Sequence, residues 1–412
     1  MAILPILTSI LLACAPAPTA HLPAQRSGLD LEKLLVDVFD PQRGEKVLVM
    51  VDMPHGAITD NEAWAARRDM ADEWRAAFQK LARKRKLSGR TVRVYPLLTY
   101  AATGAHNSPL PEEGMLDGKT VRLETILADT DIAVAMTEYS ATASLSEFTQ
   151  RFPRLRAASM PTVARSMEQT ALAADYAQVA LRAHLLADRL DRAEGAEVVF
   201  STGHRLHVDL RDRHAHADDG QLHADKQEQQ RTNGRSLPAP SADVHSSAVI
   251  NLPSGEAYIA PSEGELPDRP SRTEGMIPMP SASDPAVVVV QQNRAVEVQG
   301  EGSAAAQWRA WFAADPARTN LAELGLGCND RAVVTGNVLE DEKVQGVHLA
   351  WGRSDHLGGA VGVDDFADPA HVVHLDVVYP NGSPVSVASL VLEYADGTRE
   401  EIIRDGASVA LE

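Results

Sequence analysis

A chain of 412 residues with 44% hydrophobic side chains is too long for one ordinary core and too apolar to stay unfolded, which points to two globular domains. Its 57 acidic against 39 basic residues give a net charge of −18, which disfavours nucleic acid and anionic membranes as partners and suits cationic ligands such as free amino termini. Two cysteines, Cys14 and Cys328, are too few for a disulfide framework or a thiolate zinc site.

Residues 1–25 read as a leader. The stretch 3–13 is apolar, and Leu11-Leu12-Ala13-Cys14 loosely matches a lipoprotein cleavage site. No Lys or Arg precedes the apolar run, as a signal peptide requires, and the run is too short and proline-interrupted to span a bilayer. The expected location is the cytoplasm, with export by this segment as the alternative.

Between 26 and 195, strands alternate with helices. Strand 46–52 is followed by a helix over 61–86 with Trp64, Met70, Trp74 and Phe78 on its apolar side. Strands at 91–95 and 131–136 follow, then a short helix at 144–151 and a long Ala/Leu-rich one over 164–192. This order predicts an α/β domain, a parallel sheet with helices on both faces. No Gly-x-Gly-x-x-Gly or Walker-type lysine opens any of these helices, so no nucleotide site is expected.

From 196 to 412 the texture is mainly β. Short strands are expected at 198–201, 206–210, 248–252, 287–291 and 295–298, with a helix near 304–314, in a barrel or sandwich. The polar stretch 213–242 contains His214, His216 and His223, a spacing able to bind metal, but it reads as a solvated loop ended by Pro238 and Pro240.

The most informative segment is the apolar run His371-Val-Val-His374-Leu-Asp376-Val-Val-Tyr379. Its valines favour a strand, in which residues i and i+2 share a face, so His374 and Asp376 stand side by side. A carboxylate set in apolar surroundings is costly unless a metal or a basic side chain compensates it. Gly346-Val-His348-Leu-Ala-Trp351-Gly352 supplies another histidine. Glu256 and Glu323 lie in apolar, glycine-containing contexts, and Glu342 in the charged run Glu340-Asp-Glu-Lys343. Two centres fit these residues. His348, His374 and Asp376 make a two-His-one-carboxylate triad for mononuclear Fe(II). With Glu256, Glu323 and Glu342 added, the set holds two divalent ions, zinc, cobalt or manganese, for hydrolytic chemistry. A satisfied core network is the bland alternative.

The motifs Asn251-Leu-Pro-Ser-Gly-Glu256, Ala322-Glu323-Leu-Gly-Leu-Gly327, Gly336-Asn-Val-Leu-Glu-Asp-Glu342, His348-Leu-Ala-Trp351-Gly352 and His374-Leu-Asp376 resemble, in order and spacing, those of the aminopeptidase T family of metallopeptidases. Ala157-Ala-Ser-Met-Pro161 and the helix after it look similar too. The resemblance implies a two-metal, usually dimeric exopeptidase acting on short peptides or amides. It makes Glu256, Glu323, His348, His374 and Asp376 metal ligands and Glu342 a ligand or catalytic base. Asp355, followed by His356, stands where that family has a tyrosine, and Cys328 where a hydroxyl residue is expected, which introduces an oxidisable or soft donor. Iron-dependent dihydroxypyridine dioxygenases resemble the same C-terminal half through His348, Trp351-Gly352 and His374-Leu-Asp376. A catalytically silent metal-binding relative is the third reading.

Overall fold

The computed structural model describes residues 28–84, 92–224, 248–266, 268–281, 284–381 and 383–411. The leader with Cys14, the end of the helix expected to run to residue 86, and Pro238 and Pro240 lie outside them.

The apolar run Lys46–Met53 is the central strand of the first sheet, with six consecutive buried positions. Arg93–Val94, Leu98–Ala101 and Ile132–Ala135 pair with it in parallel, and Arg156–Ser159 continues the sheet beyond Ile132–Ala135. An antiparallel hairpin, Glu113–Leu116 and Lys119–Arg122, closes the opposite edge. Because side chains alternate across a strand, Val47, Val49 and Val51 pack with Trp74 and Phe78 of helix Glu62–Lys84, while Leu48 and Met50 pack with Leu127 and Leu145 on the other face. Both faces are therefore covered, as a parallel sheet requires.

Three sequence expectations change here. The helix drawn over 164–192 is broken: Arg165–Gln169 and Ala171–Ala173 are short 3-10 turns, and the α-helix runs only over Tyr176–Leu190. The Asp175 side chain accepts from Ala177 N, so an N-cap overrides the alanine-rich propensity. Part of the stretch read as a solvated loop is the strand Ala215–Asp218, with Asp218 buried. The strand Val249–Asn251, expected among those of the second half, pairs in parallel with Arg156–Ser159 and extends the first sheet.

The second half is a sandwich of two antiparallel sheets. One has five strands in the order Ala215–Asp218, Glu256–Ile259, Leu321–Gly327, Gly346–Gly352 and His374–Pro380. The other has eight, with Arg205–Asp209 and Ala193–Phe200 at its middle and Val387–Tyr394 beside the latter. Ile259, Leu324, Leu349 and Val377 of the first interdigitate with Val198, Phe200 and Leu390 of the second, together with Trp308 and Phe312 of helix Ser303–Ala313. Phe200 and Tyr379 meet edge-on at 5.1 Å. The α/β half joined to a mainly β half is the fold class expected from the sequence. No described helix is long and apolar enough to cross a membrane.

Candidate metal centre

Period-two alternation in the five-stranded sheet sends apolar residues into the sandwich and leaves a polar face on the other side. That face carries His216 and Asp218, then Glu256 and Tyr258, then Glu323 and Gly325, then His348, then His374 and Asp376. The register aligns Asp218 with Glu256, Tyr258 with Gly325, and Gly325 with His348, and places Ala350 between Glu323 and Asp376. Four strands thus bring Glu256, Glu323, His348, His374 and Asp376 together. Glu342 arrives from outside the sheet, just after the short helix Val338–Asp341, whose Asn337 cap accepts from Leu339 N.

Two sets of three ligand atoms close within 4.8 Å: Glu256, Glu323 and His348, and Glu323, His374 and Asp376. Glu323 belongs to both. Its Oε1 lies 3.1 Å from His348 Nε2 and its Oε2 2.9 Å from His374 Nε2. Glu256 Oε2 lies 3.3 Å from His348 Nε2, and Asp376 Oδ1 3.3 Å from His374 Nε2. His348, His374 and Asp376 alone do not close into such a set, because the Glu323 carboxylate stands between the two imidazoles.

Gly325 makes this geometry sterically accessible. The His348 ring lies across it, so that a Cβ at position 325 would sit 1.9 Å from His348 Nε2. His374 is held by its other nitrogen, Nδ1, which donates to Arg353 O at 2.7 Å and leaves Nε2 facing the acids.

The electrostatics are those of a site that attracts cations. Burial opposes charge on His348, but Glu323 and Glu256 outweigh it and raise its pKa to about 9. His374 is likewise raised despite burial, by Asp376 and Glu323. Burial works against the Glu323 carboxylate, yet hydrogen bonds from both imidazoles hold its pKa well below the usual range. Burial pushes Glu342 up to about 8, with Glu256 and Asp376 adding to the rise and Lys343 opposing it. Glu342 lies outside both ligand sets; its Oε1 is 2.8 Å from the buried Lys343 Nζ.

A cavity of about 540 Å³ opens over this face. Its opposite wall comes from the loops, the helix start and the edge strand of the first sheet's domain: Asn107, Ser140, Thr142 and Asn251 line it, tied by Ser140 Oγ donating to Asn107 Oδ1 and Thr142 Oγ1 to Asn251 Oδ1. Asp355 turns onto Arg353, at 2.5 and 3.1 Å. His356 is the residue that lines the cavity, its ring 5.1 Å from that of His374. Glu263 fixes this loop, accepting from Asn320 Nδ2, Ser354 Oγ and Ala360 N.

Several sequence signals resolve differently. Trp351 packs against Phe312 inside the sandwich, so the Trp-Gly motif is structural. Cys328 is buried in the same core, where burial raises its thiol to about 12, and it belongs to neither of the two ligand sets. His214, His216 and His223 are dispersed: onto Asp191, against the Tyr258 ring, and onto Asp37 O. A further set, Glu197, His207 and Glu393, lies partly exposed on the eight-stranded sheet, where Arg399 pairs with Glu393 at 3.2 Å. Sequence reasoning missed Asp218 and Lys343. The only signal for Lys343 was its place beside Glu342, and a charged run normally reads as surface.

No protein-family model matches the chain, and no curated protein does. Among solved structures it is similar to 2,5-dihydroxypyridine dioxygenase from Pseudomonas putida, with 14% identity and a TM-score of 0.60 over 94% of this chain and 99% of that one. It is also similar to AmpT from Thermus thermophilus, with 14% identity and a TM-score of 0.49 over 92% and 98%. At such identity the first likeness establishes a shared fold and nothing further.

Proposed function

We propose that this protein is a metal-dependent hydrolase that removes N-terminal residues from short peptides, with two divalent ions held by Glu256, Glu323, His348, His374 and Asp376. The observation that carries this reading is Glu323, whose two oxygens face two different imidazoles and join two ligand sets. The donors fit zinc, cobalt or manganese: all are oxygen or imidazole nitrogen, and Glu256 Oε2 is buried without a hydrogen-bond donor. Two such ions, when bound, would supply Lewis acidity and an activated water to an amide carbonyl.

The chain's own residues account for the remaining work. Arg353 O fixes the His374 ring. Glu342, raised to about 8, is a carboxyl able to take up and return a proton near neutral pH. Acids along the cavity favour a substrate with a free amine, and Asn107, Thr142 and Asn251 offer donors and acceptors to its peptide groups. A homodimer acting on a short peptide or amide, without nucleic acid or membrane, completes the proposal.

The second reading is a mononuclear Fe(II) ring-cleaving dioxygenase. The fold likeness to the Pseudomonas putida enzyme favours it. The placement of Glu323 between His348 and His374 argues against a site built for one ion. Elemental analysis after chelator-free purification and reconstitution tests the choice. Two zinc, cobalt or manganese ions per chain, with release of the first residue from aminoacyl anilides, support the hydrolase. One iron per chain with dioxygen uptake on a dihydroxypyridine refutes it. Two ions without turnover on either substrate refute the catalytic role and leave a metal-binding relative.

A further inference from the structure

One cation at the centre is left unused by the chemistry above. Lys343 is fully buried, and its Nζ lies 2.5 Å from Glu256 Oε1, 2.8 Å from Glu342 Oε1 and 3.3 Å from Asp218 Oδ2. Glu256 therefore meets an ammonium with one oxygen and faces His348 with the other. Glu323 repeats the pattern, with His348 on one oxygen and His374 on the other. Cationic side chains and carboxylates alternate along this chain of contacts: Lys343, Glu256, His348, Glu323, His374, Asp376.

We propose that Lys343 is a resident cation filling a third ion position of this centre, so that the chain itself limits the site to two divalent ions. The inference rests on the two-ion reading above. An ammonium is a compact point charge with three donors, and here it meets three carboxylates from three separate segments, as a small hard ion would. The position offers oxygen donors alone, which suits manganese, magnesium or calcium better than zinc. Glu342, paired with Lys343, lies outside the two ligand sets, whereas Glu256 is shared between Lys343 and one of them. Removing the ammonium takes from three buried carboxylates the cation they share, an expensive change that either another cation or protons must relieve. The experiment separates those two outcomes.

Wild-type protein and the Lys343→Ala variant are loaded with two zinc ions per chain and titrated with manganese, followed by electron paramagnetic resonance and elemental analysis. Zinc-loaded wild type is expected to leave manganese free, and zinc-loaded K343A to bind one manganese per chain. The triple variant K343A/E342Q/D218N, which loses two acids with the ammonium, is expected to hold two zinc ions and no manganese. K343A that keeps two zinc ions yet takes up no manganese overturns the inference while the two-ion reading stands. So does manganese binding that persists in the triple variant, or K343A that stays unfolded with both metals present. Wild type that cannot hold two divalent ions overturns the two-ion reading itself, and the inference with it.

Discussion

Gly325→Ala is the substitution whose effect follows most directly from the geometry. An added methyl carbon would stand 1.9 Å from Nε2 and 2.1 Å from Cε1 of His348. To regain an ordinary contact of about 3.5 Å the ring must move by roughly 1.5 Å, away from both Glu256 and Glu323. A change in the shell behind a metal ligand typically costs 10- to 100-fold in affinity, so displacing the ligand itself should cost at least about 100-fold, or about 2.7 kcal/mol. The fold should pay less, about 1–3 kcal/mol for the overpacking, because Gly325 faces the cavity side of the sheet and the sandwich beneath is untouched. The assay is zinc titration against a competing chelator, with far-ultraviolet circular dichroism and thermal melting of the metal-free protein alongside. G325A that binds zinc with wild-type affinity and stoichiometry would refute the assignment of His348 as a ligand in this position.

Further outcomes follow from the same geometry. Glu323→Gln should lose both ions and all turnover with an almost unchanged circular dichroism spectrum, whereas Asp376→Asn should lose one; elemental analysis distinguishes them, and full activity in either sinks the site. In metal-free protein, His348 rises from 6.5 to about 9 and Glu342 from 4.5 to about 8 on folding. The metal-free fold then holds more protons than the unfolded chain, so the stability these two groups contribute is lost as pH rises from about 4.5 through 9, Glu342 acting over the lower part and His348 over the upper. The melting temperature without metal should fall over that window and stay flatter with metal bound; a flat metal-free profile would contradict the shifts. Far from the site, Arg156 is buried, bonded to Glu45 at 2.7 and 2.9 Å and to the carbonyl of Phe39. Arg156→Met should destabilise by about 3–5 kcal/mol in urea unfolding, because it strands the Glu45 carboxylate; a loss below about 1 kcal/mol would show that the pair is solvated.

Local pattern alone determined much of this protein. Valine-rich runs at 46–52 and 374–379 specify strands, and their period of two places His374 and Asp376 on one face, whatever the rest of the chain does. The α/β order before residue 195 and the mainly β texture after it gave the fold class for the same reason, because periodicity and turn residues act within a few residues. The tertiary structure decided what depends on partners distant in sequence. Asp218, Glu256, Glu323, His348 and Asp376 become neighbours only through strand register, and Gly325 matters only because His348 lies across it. The Asp175 cap divides a segment whose composition favours one long helix. Lys343 lies in a charged run that reads as surface, and its burial follows from Asp218 and Glu256 on other segments joining neighbouring Glu342 to compensate its charge. Whether His356 or Asp355 faces the cavity was settled by Arg353, which binds Asp355 and leaves the histidine beside His374. Charge compensation and register act across the whole chain, and that is why no short window of sequence contains them.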